Sequence, residues 1–189
     1  MKPFLSCRSI VIALALALAP ALPSIGDQAA TQAPLRSPDV IFVPTPPEVV
    51  AAMLKVAKVG PGDIVYDLGS GDGRIAIAAV RDFKAARATG IDIDPQRIKE
   101  ANDNLKASGV ANVRFLNQDL FTTNISEATV VTLYLLTRLN EKLKPKLLKD
   151  LQPGTRVVSH AFDMGDWIPE QKAQVGASNV YLWRIPGRA

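Results

Sequence analysis

Residues 64–74, IVYDLGSGDGR, decide the fold of this chain. The apolar residues 64–66 predict a buried strand, the glycine-rich residues 67–73 predict a tight turn, and the apolar pattern that follows predicts a helix. Glycines suit such a turn because the backbone bends sharply and a ligand lies against it, where a Cβ would collide. The first turn of the helix then offers free N–H groups to an electron-rich part of that ligand. The stretch therefore predicts the first half of a βαβ unit with a ligand at its turn.

The spacing of the glycines distinguishes between possible ligands. The dinucleotide fingerprint G-x-G-x-x-G would need its third glycine at position 74, where the chain has Arg74. The chain instead reads Asp67-x-Gly69-x-Gly71-x-Gly73. A carboxylate so near the turn attracts a ligand that carries an ammonium and a sulfonium, and repels a pyrophosphate. The pattern resembles motif I of the class I S-adenosylmethionine-dependent methyltransferases; the alternative is an ordinary tight βα loop.

Two further acids follow the next two predicted strands. Asp92 lies about 20 residues beyond the glycine turn, where a nucleotide-binding βαβ unit places a carboxylate that accepts hydrogen bonds from the ribose hydroxyls. Asp94 precedes a proline and is instead typical of a helix N-cap. The family resemblance implies that Asp119 accepts a hydrogen bond from the adenine amino group, with Leu120 or Phe121 against the ring; the alternative for Asp119 is a turn residue. Together the acids at three successive strand ends predict an adenosine site.

The segment before the central strand carries another candidate contact. Val43-Pro44-Thr45 precedes a predicted amphipathic helix over residues 48–58. In many class I methyltransferases the corresponding segment folds over the methionine end of the cofactor. The resemblance therefore implies that Thr45 forms a hydrogen bond at the cofactor site; the alternative is a simple entry turn.

The candidate acceptor residues come later in the chain. Tyr134 stands near the end of the fourth predicted strand, and is either a wall of the acceptor pocket or a core aromatic residue. His160 is the only histidine, so it is either the imidazole base or a structural residue at a strand end. Tyr134 and His160 are therefore the catalytic candidates. Phe162 and Trp167 join Tyr134 as candidate walls of the acceptor pocket, because aromatic faces favour a nearby sulfonium or ammonium.

From about residue 43 to the C-terminus, the chain resembles the archaeal and mitochondrial-type branch of protein-lysine methyltransferases. It implies a three-layer, Rossmann-like α/β fold with a mostly parallel sheet and an antiparallel C-terminal strand, S-adenosyl-L-methionine as cofactor, and a protein lysine as acceptor. An apolar pocket would lower the pKa of an acceptor lysine from its ordinary value of about 10.4. No residue is an obvious general base, which suits methylation of an amine better than methylation of an alcohol. Two alternatives stay open: a methyltransferase of a small molecule, and a non-catalytic binding protein that keeps the cofactor fold.

The Asn/Asp-Pro-Pro-Tyr/Phe motif of DNA and glutamine N-methyltransferases is absent from residues 132–136, which read TLYLL. This difference disfavours methylation of nucleobases and amides. The lysines of residues 140–151 predict an amphipathic helical region whose basic face is solvated or meets an acidic partner or anionic lipid, with a second segment beginning at Pro145.

The N-terminus predicts an export signal. Lys2 and Arg8 precede an apolar stretch over residues 9–19 and then a small-residue region, the order of a signal peptide; a retained membrane anchor is the alternative. We therefore expect a signal segment over residues 1–26, a flexible linker over residues 27–39 and a methyltransferase domain over residues 40–189. The expected location is the periplasm or the envelope, or the cytoplasm if the segment is not a working signal. Membrane contact is expected only if the segment is retained.

Composition excludes several other classes. Cleavage near residue 26 would remove Lys2 and Arg8, which is half of the net charge of +4, so the basic balance does not indicate nucleic acid. It would also remove Cys7, the only cysteine, which excludes disulfides, thiolate metal sites and a cysteine nucleophile from the mature chain. No metal site is indicated.

Overall fold

The computed structural model describes residues 35–187. The predicted signal segment and residues 27–34 of the predicted linker lie outside this range. The described elements are α1 (Pro47–Val56), β1 (Ile64–Leu68), α2 (Arg74–Arg81), β2 (Arg87–Asp92), α3 (Pro95–Ser108), β3 (Val113–Asn117), β4 (Val130–Leu133), α4 (Thr137–Asp150), β5 (Arg156–His160), β6 (Gln171–Val175) and β7 (Ser178–Arg184).

The strands form one sheet in the order β3-β2-β1-β4-β5-β7-β6. The strands from β3 to β5 are parallel, whereas β7 is antiparallel to both β5 and β6. This arrangement confirms the predicted α/β fold with a mostly parallel sheet. The strand order reverses at β1, so the crevice that open α/β sheets use for ligands lies at the carboxyl ends of β1 and its neighbours β2 and β4.

The sheet is the middle of three layers. Helices α1, α2 and α3 pack on one face, and α4 with the loop between β3 and β4 packs on the other. Alternate strand residues point to opposite faces, so Val65 joins the first layer and Tyr66 joins the second. Because both faces of the central strands are covered, those strands are buried along most of their length, as the apolar start of β1 predicted.

Two features differ from the sequence prediction. The C-terminal part is a hairpin, in which β6 pairs with β7 at the edge of the sheet. The sequence of β6, QKAQV, is polar and mostly exposed, so it carries no apolar alternation that would mark it as a strand. Pro145 lies inside the continuous helix α4, where the sequence predicted a new segment.

No helix of residues 35–187 combines the length and the apolar character that a membrane span needs.

Candidate active site

The glycine turn after β1 has the backbone conformation that the sequence predicted. Gly69, Gly71 and Gly73 have φ values of 81°, 52° and 81°, in the left-handed region that side chains disfavour. Gly73 also leaves no room for a Cβ, because the ring of Phe115 lies against it. The turn is joined to β2 by the N–H groups of Gly69 and Ser70, which donate to the carbonyl of Ile91 at 2.8 and 3.0 Å. The first turn of α2 is thereby fixed at the carboxyl edge of the sheet.

Asp92 ends β2 beside this turn. One of its carboxylate oxygens accepts a hydrogen bond from the N–H of Gly71 at 2.8 Å, and the other accepts one from the N–H of Asp94 at 2.9 Å. Burial raises the pKa of Asp92, and the two N–H donors oppose that rise. Asp94 caps α3, since its carboxylate accepts from the N–H of Gln96 at 2.8 Å. Asp92 therefore faces the turn while Asp94 has the predicted capping contact.

A cavity of about 650 Å³ opens at this edge of the sheet. Six of the predicted site residues line it: Thr45, Gly69, Asp92, Asp119, Leu120 and Tyr134. The other predicted residues do not line the cavity: Asp67, Gly71, Gly73, His160, Phe162 and Trp167. The lining thus runs from the ends of β1, β2 and β3 to the end of β4.

The segment of residues 35–46, called the lead-in segment below, forms one side of the cavity. Thr45 is only 3% exposed, and its hydroxyl lies 3.3 Å from Nδ1 of His160. Its carbonyl accepts a hydrogen bond from Arg74 at 3.0 Å, and Arg74 also pairs with Asp72 in the glycine turn. The ring of Phe42 lies against Gly71. The lead-in segment is therefore bound directly to the motif that decides the fold.

The far end of the cavity is polar. Arg36 of the lead-in segment pairs with both carboxylate oxygens of Asp119, with Nε–Oδ2 at 2.7 Å and Nη2–Oδ1 at 3.2 Å. Burial raises the pKa of Asp119, but Arg36 and the N–H of Phe121 outweigh burial and hold the pKa below its ordinary value. Within the predicted linker Arg36 pairs with Asp39, and it also pairs with Asp119 of the domain.

Asp67 lies beneath the turn and is 1% exposed. Its Oδ1 accepts a hydrogen bond from the hydroxyl of Thr132 at 2.7 Å, while its Oδ2 finds no partner among the described residues. Burial, together with the nearby acids, raises the pKa of Asp67 to about 7 against the effect of that hydrogen bond. The hydroxyl of Ser70, which lines the cavity, is also buried and unpaired within the described part of the chain. Such unsatisfied polar groups indicate a ligand or water at the turn.

The opposite end of the cavity is aromatic. The ring of Tyr134 lies 3.9 Å from that of His160 and 6.1 Å from that of Phe162, measured between centroids. His160 is 2% exposed, and burial lowers its pKa, so the imidazole is neutral at neutral pH. Its Nε2 lies 3.0 Å from the hydroxyl of Ser178. With Thr45 at the other nitrogen, both ring nitrogens have protein partners.

The turn after β5 is held in an unusual conformation beside Tyr134. Ala161 has a φ of 62°, which is strained for a residue with a Cβ. The carbonyl of Phe162 accepts hydrogen bonds from Ser159 at 2.7 Å and Asn140 at 3.2 Å. Asn140, a residue of α4, thus fixes the turn that carries Phe162. Sequence reasoning missed Asn140, because only long-range packing brings it to this turn.

Trp167 contacts Trp183 through both its backbone and its ring. Its carbonyl accepts a hydrogen bond from the indole of Trp183 at 2.6 Å, and the two rings lie 6.1 Å apart.

Arg36, Phe42 and Arg74 line the cavity and were not among the predicted site residues. Arg74 had a signal, since it ends the quoted motif; Arg36 had none, because it stands in a segment rich in Ala, Gln and Pro.

The cavity fits the expected cofactor. Asp92 and Asp119 provide acceptors at one end for ribose hydroxyls and an adenine amino group. Gly69 and Ser70 of the glycine turn border the cavity, and the unpaired Ser70 hydroxyl and the underlying Asp67 suit a polar, cationic tail. Asp67 acts through the turn, since it does not border the cavity.

Comparisons with known proteins agree with this geometry. Residues 67–171 match the ANTKMT methyltransferase domain. A protein-lysine N-methyltransferase of Saccharolobus islandicus is 50% identical over 153 residues, which span 78% of this chain and 95% of that protein. The adenine nucleotide translocase lysine N-methyltransferase of Mus musculus is 30% identical over 155 residues, spanning 82% and 66% of the two chains. The crystal structure of an RNA methyltransferase from Salinibacter ruber in complex with S-adenosyl-L-homocysteine matches with a TM-score of 0.76 at 53% identity, covering 78% and 96% of the two chains.

Proposed function

Since this chain belongs to the ANTKMT methyltransferase domain family and is an S-adenosylmethionine-dependent methyltransferase, we propose that its acceptor is the side-chain amine of a protein lysine. The observation that carries the proposal is Tyr134, which lines the cavity and whose ring lies against those of His160 and Phe162. The protein-lysine N-methyltransferase that is 50% identical supports the same acceptor.

The bound cofactor supplies an electrophilic methyl group on a sulfonium. The chain would hold its nucleoside through Asp92 and Asp119 and its tail against the turn of Gly69 and Ser70. The lead-in segment, fastened through Arg74, forms one side of the cavity and would limit the access of water to the bound cofactor. Alignment and exclusion of water are then the main contributions of the protein.

A lysine acceptor has to lose its proton before it attacks. Apolar walls disfavour the ammonium form, so the region around Tyr134 and Phe162 would lower the lysine pKa. His160 does not serve as the base in this proposal, because both of its nitrogens contact protein hydroxyls and it lies outside the cavity lining. We assign it a positioning role between the lead-in segment and β7.

RNA is the competing acceptor, since the solved structure at 53% identity is described as an RNA methyltransferase. Residues 132–136 argue against methylation of a nucleobase amine, because TLYLL lacks the Asn/Asp-Pro-Pro-Tyr/Phe motif whose polar groups hold such an amine.

The test is transfer of a labelled methyl group. The full chain is incubated with methyl-tritiated S-adenosylmethionine and either protein or RNA from the same extract, with Asp92→Ala as the matched inactive control. We expect label that protease releases and that runs with methyl-lysine after hydrolysis. Label in nucleosides, or in a small molecule, would overturn the lysine proposal.

We also propose that the protein acts outside the cytoplasm, on the basis of Lys2, Arg8 and the apolar residues 9–19. Residues 1–39 fused to alkaline phosphatase should give activity that Leu16→Arg, in the apolar stretch, removes. An inactive fusion would place the enzyme in the cytosol, where S-adenosylmethionine is made.

A further inference from the structure

Arg36 occupies a position at the nucleoside end of the cavity that neither the motifs nor the comparisons assign. Its guanidinium borders the cavity together with Asp119 and Phe121. It approaches Asp119 side-on, so that two N–H groups meet the two carboxylate oxygens. This geometry fixes the plane of the carboxylate as well as its charge.

The hydrogen bonds to Asp119 leave one acceptor position open. Oδ1 accepts from Arg36 and from the N–H of Phe121, the latter at 2.9 Å, which uses both of its lone pairs. Oδ2 accepts only from Nε of Arg36 within the described residues. The remaining lone pair of Oδ2 is the acceptor that an adenine amino group needs.

Arg36 is itself held by two further contacts. Its Nη1 donates to the carboxylate of Asp39 at 2.5 Å, and its guanidinium lies 5.4 Å from the centre of the Phe121 ring. The carbonyl of Asp39 in turn accepts a hydrogen bond from Arg138 of α4 at 3.2 Å. The lead-in segment is therefore fastened at this end of the cavity by Arg36, as Arg74 fastens it at the other.

We propose that Arg36 is a cofactor-positioning residue, which orients Asp119 toward the adenine amino group and fastens the lead-in segment over the nucleoside. The role does not depend on the acceptor. Its test therefore uses S-adenosyl-L-homocysteine binding without any acceptor, and its failure would leave the lysine proposal untouched.

The experiment compares Arg36→Ala with the wild-type chain by calorimetry and by stopped-flow dissociation. We expect about tenfold weaker binding, mainly through faster dissociation, because a charge-assisted contact to the carboxylate is lost. Arg36→Lys should recover only part of the affinity, since a lysine cannot make the side-on pair. The matched control is Arg87→Ala, which removes an exposed pair with Glu127 at the amino end of β2 and should leave binding unchanged.

A double-mutant cycle separates positioning from a general effect of charge. In the Asp119→Ala background, Arg36→Ala should weaken binding by less than about twofold, because no carboxylate remains to be oriented. If Asp119→Ala does not fold, Asp119→Asn replaces it. Equal effects of Arg36→Ala in both backgrounds would overturn the proposal. Unchanged or tighter binding by Arg36→Ala would also overturn it, and the second result would mean that Arg36 competes with adenine.

Discussion

The two ends of the cavity are formed by different types of residues. At the ends of β1, β2 and β3, acids and a glycine turn within a short stretch of sequence present carboxylate acceptors and the backbone of Gly69 to the cavity. At the ends of β4 and β5, Tyr134, His160 and Phe162 form an uncharged aromatic group that Asn140 and Ser178 hold from distant parts of the chain. The first end recognises a ligand by its hydrogen-bonding groups. In the proposed function, the second end excludes water from the acceptor amine and lowers its pKa, and both effects depend on packing.

The largest expected effect comes from the nucleoside end. Asp92→Ala should weaken S-adenosyl-L-homocysteine binding by about 100-fold or more, because two charge-assisted hydrogen bonds to the ribose are lost and the Gly71 N–H loses its acceptor. Calorimetry measures the change. The neighbouring acid is the matched control: Asp94→Ala removes a helix cap and should cost about 1 kcal/mol of unfolding free energy, with binding changed by less than about fivefold. A larger loss of affinity in Asp94→Ala would reverse the two assignments.

A substitution at the aromatic end should lower the rate of methyl transfer without weakening the binding of the cofactor. Tyr134→Ala should lower kcat/KM for the acceptor by about 10- to 100-fold, because the acceptor amine is no longer aligned or shielded from water. The dissociation constant for S-adenosyl-L-homocysteine should change by less than about threefold. Tyr134→Phe keeps the ring and should retain most of the activity; a loss as large as that of alanine would show that the hydroxyl takes part.

The contacts of His160 predict a dependence of stability on pH. Burial lowers the pKa of His160 in the folded chain, so unfolding takes up a proton once the pH falls below the unfolded pKa of about 6.5. The stabilisation from this group is complete above that value and is lost as the pH falls toward the lower folded pKa. Urea unfolding at pH 7.5 and 5.5 should therefore show a smaller loss of free energy for His160→Gln than for wild type, by about 1 kcal/mol or less.

Ser178→Ala is the control for this prediction. It removes the hydroxyl next to Nε2 of His160 and keeps the imidazole, so it should lower the unfolding free energy while the pH dependence stays that of wild type. An equal pH dependence in wild type and His160→Gln would contradict the prediction.

The smallest expected effect is a proton released on binding. Because the pKa of buried Asp67 is about 7, its carboxyl is partly protonated near neutral pH, and a cationic cofactor at the turn lowers that pKa. Calorimetry of S-adenosylmethionine at pH 6.5 in buffers of different ionisation enthalpy should detect release of a fraction of a proton, which Asp67→Asn abolishes.

Stability gives a second measurement on Asp67. A raised folded pKa stabilises the fold below the unfolded pKa of about 3.9, and this contribution is lost as the pH rises through about 7. Asp67→Asn should therefore gain free energy of unfolding relative to wild type between pH 6 and pH 8. No gain would mean that Asp67 is already ionised in the free protein.

The contrast between the two ends also explains what the sequence predicts. The glycine turn and Asp92 lie within about 30 residues, and the βαβ unit fixes their geometry locally, so their placement followed from spacing. Leu120 and Asp119, which were predicted to contact the adenine, also line the cavity. Asp67 was predicted as a cofactor-binding residue; it does not line the cavity, and its side chain accepts a hydrogen bond from Thr132 beneath the turn.

The rest depends on contacts that spacing does not encode. Phe162 and Trp167 were predicted as walls of the acceptor pocket. The ring of Trp167 packs against that of Trp183 in β7. Arg36 reaches Asp119 across 83 positions of sequence, from a segment with no periodicity. Strand β6 was missed because an exposed edge strand needs no apolar face. Such placements require the three-dimensional packing of the chain.

The most direct test of the account measures both ends in one series. S-adenosyl-L-homocysteine affinity and methyl transfer are compared for wild type, Asp92→Ala and Tyr134→Ala. The account predicts that Asp92→Ala loses binding and therefore transfer, whereas Tyr134→Ala binds like wild type and still fails to transfer. Weakening of binding by Tyr134→Ala as large as that by Asp92→Ala would contradict the division of the cavity into a cofactor end and an acceptor end.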